Sequence, residues 1–223
     1  MRAKPMLYYD LRLTVGLTSI LPALVLPLFG MLNGLIWHLN RFTPRQLDIE
    51  RPFEVALPLF AALASAHLMT IEQDERFSDL RDSYPEPRWR LPLLRMMVGF
   101  VIAAAILLAG GLVYRIVYGY YDPVDIFPPA FAPTVFLLGL SICLGSLTRV
   151  YWAAAGGVLL YWIFEIQTRG AVTRNFYLFA HSLPGADAEI PYTFNRLAIA
   201  SAGVLLLVIG GYIHVRKRAL LKG

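Results

Sequence analysis

Six long apolar runs constrain the fold of this chain more than any other feature of its sequence. A helix needs about 20 apolar residues to cross a bilayer, and within a bilayer the backbone can satisfy its own hydrogen bonds as a helix. The composition agrees, because 57% of the 223 residues are hydrophobic and only 16% are charged. We therefore predict an all-α membrane protein whose residues 13–223 form six transmembrane helices. The predicted spans are Leu13–Leu39, Phe53–Ile71, Leu91–Tyr118, Phe131–Leu147, Val150–Ile166 and Leu197–Val215.

The distribution of lysine and arginine predicts that both ends of the chain are cytoplasmic. With that orientation, thirteen of these residues fall on the cytoplasmic side and seven on the other side, as the positive-inside rule favours. The clearest individual features are the basic tail HVRKRALLKG and the loop YGYYDPVDIFPPAF, which has no lysine or arginine. We expect a multi-pass membrane protein. The basic residues flank apolar runs and form no patch, so we expect no nucleic-acid partner.

The N-terminal residues 1–12 read MRAKPMLYYDLR and mix basic with apolar and aromatic side chains. A short helix lying in the membrane interface would suit this composition, with its aromatic rings at the level of the lipid headgroups. A frayed basic terminus is the alternative.

The segment between the second and third spans is highly charged and has the pattern of a short helix at about residues 72–86. Thr70-Ile71-Glu72-Gln73 matches a capping box at its start, and Pro85 marks its end. A narrow apolar stripe at helical spacing consists of Phe77, Leu80 and Tyr84. Because a helix this short is marginal in water, the stripe needs a surface to cover it. A solvated loop is the alternative.

In this arrangement the chain resembles the membrane subunit of type-2 ATP-binding-cassette exporters. That family has six spans with both ends cytoplasmic, and a coupling helix between spans two and three docks into a groove on a separate ATPase subunit. The last span is also similar, since Asn195-Arg196-Leu197 opens it and Arg216-Lys217-Arg218 closes it. Phe77-Ser78 stand where the family usually has a glycine. The residues that match the family's order around the coupling helix are Glu75-Arg76, Asp79-Leu80, Tyr84-Pro85 and Arg95.

The resemblance implies a permease subunit of the bacterial plasma membrane that has no catalytic residues and moves its substrate with ATP hydrolysed by a partner. No G-x-x-x-x-G-K-[ST] motif occurs in the chain, so ATP and magnesium would be bound by the partner ATPase. A second copy of the chain, or a homologous permease, would complete the pathway within the lipid membrane. The residues expected to contact the ATPase are Glu72, Glu75, Arg76, Phe77, Asp79, Leu80, Arg81 and Tyr84.

Several polar residues fall inside or beside the predicted spans. Glu54 and Arg115 lie near the outer ends of spans two and three, where they could meet across the hairpin or extend separately to the interface. Glu165 and Arg169 have the i, i+4 spacing of a local pair. The histidines show no metal-ligand spacing, so no metal site is expected. The candidate gate or structural residues are Glu54, Arg115, Glu165, Arg169, Asn195 and Arg196.

The link before the last span, at about residues 167–196, is longer than a typical connection. Its middle, NFYLFAHSL, is apolar enough to enter the outer membrane surface. The family resemblance implies short re-entrant helices that form an outer gate, and a plain surface loop is the alternative.

Two other classes of membrane protein fit the sequence less well. Intramembrane serine proteases also have six spans, and Gly139-Leu140-Ser141 with His214 resembles their nucleophile and base. The predicted depths of Ser141 and His214 differ by about 10 Å, too far for a hydrogen bond. A secondary transporter would show charge pairs at mid-membrane or inverted repeats, and the sequence reveals neither.

Overall fold

A computed structural model of the protein describes residues 17–40, 45–70, 89–119, 123–183, 185 and 191–220. The interfacial helix predicted at residues 1–12 and the coupling helix predicted at residues 72–86 lie outside these ranges. The described residues form six long helices and no strand, which confirms the all-α prediction. The helices are α1 (Leu17–Asn40), α2 (Gln46–Ser65), α3 (Arg90–Tyr118), α4 (Pro123–Thr148), α5 (Tyr151–Thr168) and α6 (Tyr192–Leu220), with a 3-10 helix at Arg174–Phe176.

Four of the helices, α1, α3, α4 and α6, are long and apolar enough to cross a membrane, as expected for a membrane protein. The other two are less apolar for reasons visible in their sequences. Helix α2 carries Asp48, Glu50, Arg51 and Glu54 in its first half, and the 18-residue α5 includes Glu165. A count of six spans therefore stays a prediction.

Several helices begin before the apolar runs that predicted them. Helix α2 begins at Gln46 rather than Phe53, and Asp48 accepts a hydrogen bond from the backbone N–H of Arg45 at its start (3.1 Å). Helix α4 begins at Pro123 rather than Phe131, although prolines occur within its first turns. Hydropathy marks only the apolar part of a helix, so polar or proline-rich first turns escape it.

The six helices run up and down, so that their ends gather at two poles. Phe53 of α2 packs edge-on against Tyr114 of α3, with ring centroids 4.9 Å apart. Trp162 of α5 donates its indole N–H to the carbonyl oxygen of Val55 of α2 (2.7 Å). The starts of α2, α4 and α6 thus lie with the ends of α1, α3 and α5 at one pole, which we call the link end. We call the other pole the segment end, because residues 71–88 connect α2 to α3 there.

Helix α4 is central and α1 is peripheral. In the apolar part of α4, 67% of the residues are buried, against 17% in α1. Close contact between helices depends on small residues. A Cβ added at Gly203 of α6 would lie 2.7 Å from the Cα of Phe136 of α4, and Gly210 of α6 lies against the backbone of Cys143. Four pairs of small residues, each on one helix face, are buried where the helices pack: Ala61 with Ser65, Ala62 with Ala66, Gly99 with Ala103, and Gly203 with Gly210.

Candidate functional site

The link that follows α5 folds into a compact turn at the link end. Helix α5 ends when Arg169 adopts a left-handed conformation (φ 47°), and Gly170 follows with φ 79°. The backbone N–H of Arg174 then donates to the carbonyl oxygen of Gly170 (2.8 Å). Glycine suits position 170 for a second reason, since a Cβ there would lie 2.7 Å from the ring of Tyr177.

Glu54 of α2 is the centre of a buried polar cluster that holds this link. The side chain is fully buried. One carboxylate oxygen accepts hydrogen bonds from the backbone N–H of His181 (3.1 Å) and from the guanidinium of Arg196. The other accepts from the backbone N–H of Ser182 (2.7 Å) and from the Ser182 hydroxyl. A single charged side chain thus binds both the link and the start of α6.

Two neighbouring residues at the start of α6 bind carbonyl groups of the same link. The Asn195 amide donates to the carbonyl oxygens of Asn175 (2.9 Å) and Tyr177 (3.1 Å). The guanidinium of Arg196 donates to the carbonyl oxygen of Leu178 (2.8 Å) and lies 4.8 Å from the centre of the Tyr192 ring. These contacts satisfy carbonyl groups that an irregular buried segment would otherwise leave without partners.

Two further carboxylates complete the cluster. Glu165 of α5 accepts hydrogen bonds from the hydroxyl of Thr173 (3.2 Å) and the backbone N–H of Leu178 (3.3 Å). Glu50, one helical turn before Glu54, contacts the His181 ring (2.7 Å between Oε2 and Nε2). The link therefore donates hydrogen bonds to carboxylates of α2 and α5, and its carbonyl oxygens accept hydrogen bonds from side chains of α6. The cluster consists of Glu50, Glu54, Glu165, Asn195 and Arg196, and we call it the link clamp.

Tyr177 lies in the link with its aromatic ring buried beside the clamp. Burial raises the pKa of Tyr177 to about 12, and the charge of Glu165 adds to the shift. The phenol is therefore neutral at physiological pH. Its ring packs edge-on against Phe179, with centroids 6.0 Å apart, so the middle of the link has an apolar core as well as a polar frame.

Of the two alternatives for Glu54 and Arg115, contact across the hairpin does not occur, and the local pair of Glu165 with Arg169 does not form either. Glu54 contacts Arg196, whereas Arg115 is exposed at the end of α3. The carboxylate of Glu165 faces the link. The only hydrogen bond between Glu165 and Arg169 joins their backbones, where the N–H of Arg169 donates to the carbonyl oxygen of Glu165 (3.0 Å). The i, i+4 pair does not form because Arg169 has left the helical conformation. Asn195 and Arg196 lie in the clamp, and their role in gating stays a prediction.

The sequence reasoning missed Glu50, His181, Ser182 and Trp162 as members of this region. Glu50 and Glu54 have the i, i+4 spacing that places two side chains on one helix face. Up-and-down topology also brings the start of α2, the end of α5 and the start of α6 to one pole. The sequence signal that could have predicted the cluster was therefore the presence of polar residues near these three helix ends.

The residues predicted to contact the ATPase, between Glu72 and Tyr84, lie outside the described residues. The structure does describe the residues on either side of this segment. Helix α2 ends at Ser65 and turns continue to Thr70, whose hydroxyl donates to the carbonyl oxygen of His67 (3.0 Å). Arg95, near the start of α3, is buried at the same segment end.

Ser141 has a structural partner within the bundle. Its hydroxyl donates to the carbonyl oxygen of Ala62 (3.0 Å). Because Cys143 packs against Gly210, His214 lies beyond the level of Ser141 by about 10 Å along the helix axis. This register separates the two side chains as the sequence predicted.

Comparison of the chain with family models, with curated proteins and with solved structures finds no match.

Proposed function

We propose that this protein is the membrane subunit of an ATP-driven exporter of the type-2 ATP-binding-cassette class. It crosses the bacterial plasma membrane six times with both ends cytoplasmic, so the link clamp faces outward. Support comes from the sequence resemblance, from the up-and-down order of six helices and from four helices apolar enough to span a membrane.

The observation that carries this proposal is the ordered set of residues between α2 and α3. Glu75-Arg76, Asp79-Leu80 and Tyr84-Pro85 follow one another as in the family's coupling helix, and Arg95 follows in the next helix. A partner ATPase binds this segment, and ATP-driven closure of two ATPases moves it.

Motion of the segment reaches the bundle through the start of α3. Gly99 of α3 lies close to two neighbours. A Cβ added at this position would lie 3.1 Å from Leu138 of α4 and 3.4 Å from Leu68, which follows α2. Three parts of the bundle therefore meet one turn beyond Arg95. A displacement of the segment moves α2 and α3 against α4.

A second copy of the chain, or a homologous permease, completes the translocation pathway. The exposed side chains of α1 are largely apolar, including Leu28, Leu32 and Leu35. This surface contacts lipid or the second permease.

Copurification with the partner tests the proposal. Membranes solubilised in mild detergent should yield this chain together with a protein that carries a Walker motif. Leu80→Asp should lose that partner because it places a charge in the apolar stripe, whereas Ser78→Asp, the matched control outside the stripe, should retain it. Absence of an ATPase from the wild-type preparation would contradict the proposal, and retention by Leu80→Asp would contradict docking through this stripe.

A second candidate, an ATP-independent secondary transporter, is favoured by one observation. The ion pair between Glu54 and Arg196 is buried, and ionisable residues inside membrane proteins often mark transport pathways. Proteoliposomes that contain this chain alone separate the two candidates. Gradient-driven transport without an ATPase would favour the secondary transporter, and transport only with an ATPase and ATP would favour the exporter.

A further inference from the structure

Two arginines in the turn after α5, Arg169 and Arg174, are exposed. Among the residues that the structure describes, neither the Arg169 nor the Arg174 guanidinium has a hydrogen-bond or ion-pair partner. Both residues also have positive backbone φ angles, 47° and 45°, which are uncommon for residues other than glycine, asparagine or aspartate. The turn thus presents two cations, without an ion-pair partner among the described residues, on a constrained backbone.

Exposed apolar side chains accompany these cations. Val172 is 67% exposed and Phe176 is 46% exposed, and both lie in the same short turn. Below the turn, Leu160, Ile163 and Phe164 are exposed along α5. Cations next to exposed apolar groups at one end of a membrane-protein bundle belong at the boundary between headgroups and acyl chains.

Two carboxylates that the structure describes beside the link already have partners. Glu165 is buried and accepts from Thr173 and Leu178, and Glu54 is buried with Arg196. The basic residues at the link end are also all arginines, since the only lysines are Lys4, Lys217 and Lys222. Arginine binds phosphate oxygens in a bidentate manner that lysine cannot reproduce.

We propose that the turn Arg169–Phe176 binds the phosphate group of an anionic phospholipid. The two guanidinium groups bind the phosphate, Val172 and Phe176 enter the acyl region, and one acyl chain lies along Leu160 and Phe164. This lipid site would exist whether or not the protein is an exporter subunit.

Native mass spectrometry of the full chain in detergent tests the site. Dioleoylphosphatidylglycerol should bind more tightly than dioleoylphosphatidylcholine, and added inorganic phosphate should not displace it. The double variant Arg169→Asn/Arg174→Asn should bind phosphatidylglycerol about tenfold or more weakly. Asparagine is chosen because it tolerates the left-handed conformation of both positions.

Arg45→Asn/Arg115→Asn is the matched control, since it removes two exposed arginines from the same end of the bundle. It should keep the wild-type affinity. Equal binding of both lipids by the wild type, or equal losses in the two double variants, would overturn the proposal. If the first variant does not fold, Arg169→Lys/Arg174→Lys keeps both charges, and an unchanged lipid preference after loss of the bidentate geometry would overturn the guanidinium–phosphate contact.

Discussion

Glu54 of α2 and Arg196 of α6 form a buried ion pair although 142 residues separate them in the chain. The pair also connects the link to both helices, because Glu54 accepts from His181 and Ser182 and Arg196 donates to Leu178. Loss of either partner should therefore affect the bundle and the link together.

Glu54→Gln should destabilise the protein by about 3–5 kcal/mol, because it leaves the Arg196 charge buried without its counter-ion. Denaturant unfolding in detergent measures the effect. Arg196→Gln should have a similar effect, and the double variant should lose less than the sum of the two. Strictly additive losses would show that the two side chains are not coupled.

Asn195→Ala should loosen the link while the bundle stays folded. The substitution removes the donor to the carbonyl oxygens of Asn175 and Tyr177, with an expected loss of about 1–3 kcal/mol. Hydrogen exchange measured by mass spectrometry should become faster in residues 173–183. Phe194→Ala is the control, since Phe194 is exposed and adjacent. Equal exchange in both variants would argue against this role for Asn195.

Gly203→Ala should destabilise the contact between α4 and α6 by about 1–3 kcal/mol. The new methyl group would meet the backbone of Phe136 and Val135, which no side-chain rotation can move away. Gly156→Ala is the matched control in α5, because nothing lies within 4 Å of its added Cβ. It should be neutral or stabilise its helix by up to about 1 kcal/mol. Thermal unfolding of both variants distinguishes packing from helix propensity.

Cysteine labelling in intact cells should report opposite sides for the two poles of the bundle. In a Cys143→Ser background, a cysteine at Ser78 should resist a membrane-impermeant maleimide until the cells are permeabilised. A cysteine at Asn175, an exposed polar position in the link, should react at once. Labelling at Ser78 in intact cells would place the segment between α2 and α3 outside the cell, where no cytoplasmic ATPase could bind it.

The helices could be predicted from the sequence because their signal is local. Apolar runs and small residues such as Gly203 and Ala62 are visible in one stretch of chain, and burial follows from them. The start of α2 was missed because Asp48 and Glu50 lower its hydropathy, although Glu50 is buried in the folded protein.

The link clamp could not be predicted because its contacts join distant parts of the chain. Glu54 and Arg115 face each other in a simple hairpin drawn from the sequence, but the observed partner of Glu54 is Arg196. Choosing between them requires the order in which helices pack around α4. Sequence periodicity gives the buried face of a helix but does not name the neighbour that covers it.

The glycine contacts between α4 and α6 have a mechanical consequence. Gly139 and Gly203 bring the two backbones together, and Gly210 repeats the contact two turns later against Cys143. Sliding or separating these helices would break backbone-to-backbone contact along the whole seam. These contacts therefore favour displacement of α4 and α6 together, with relative motion confined to the helices around them.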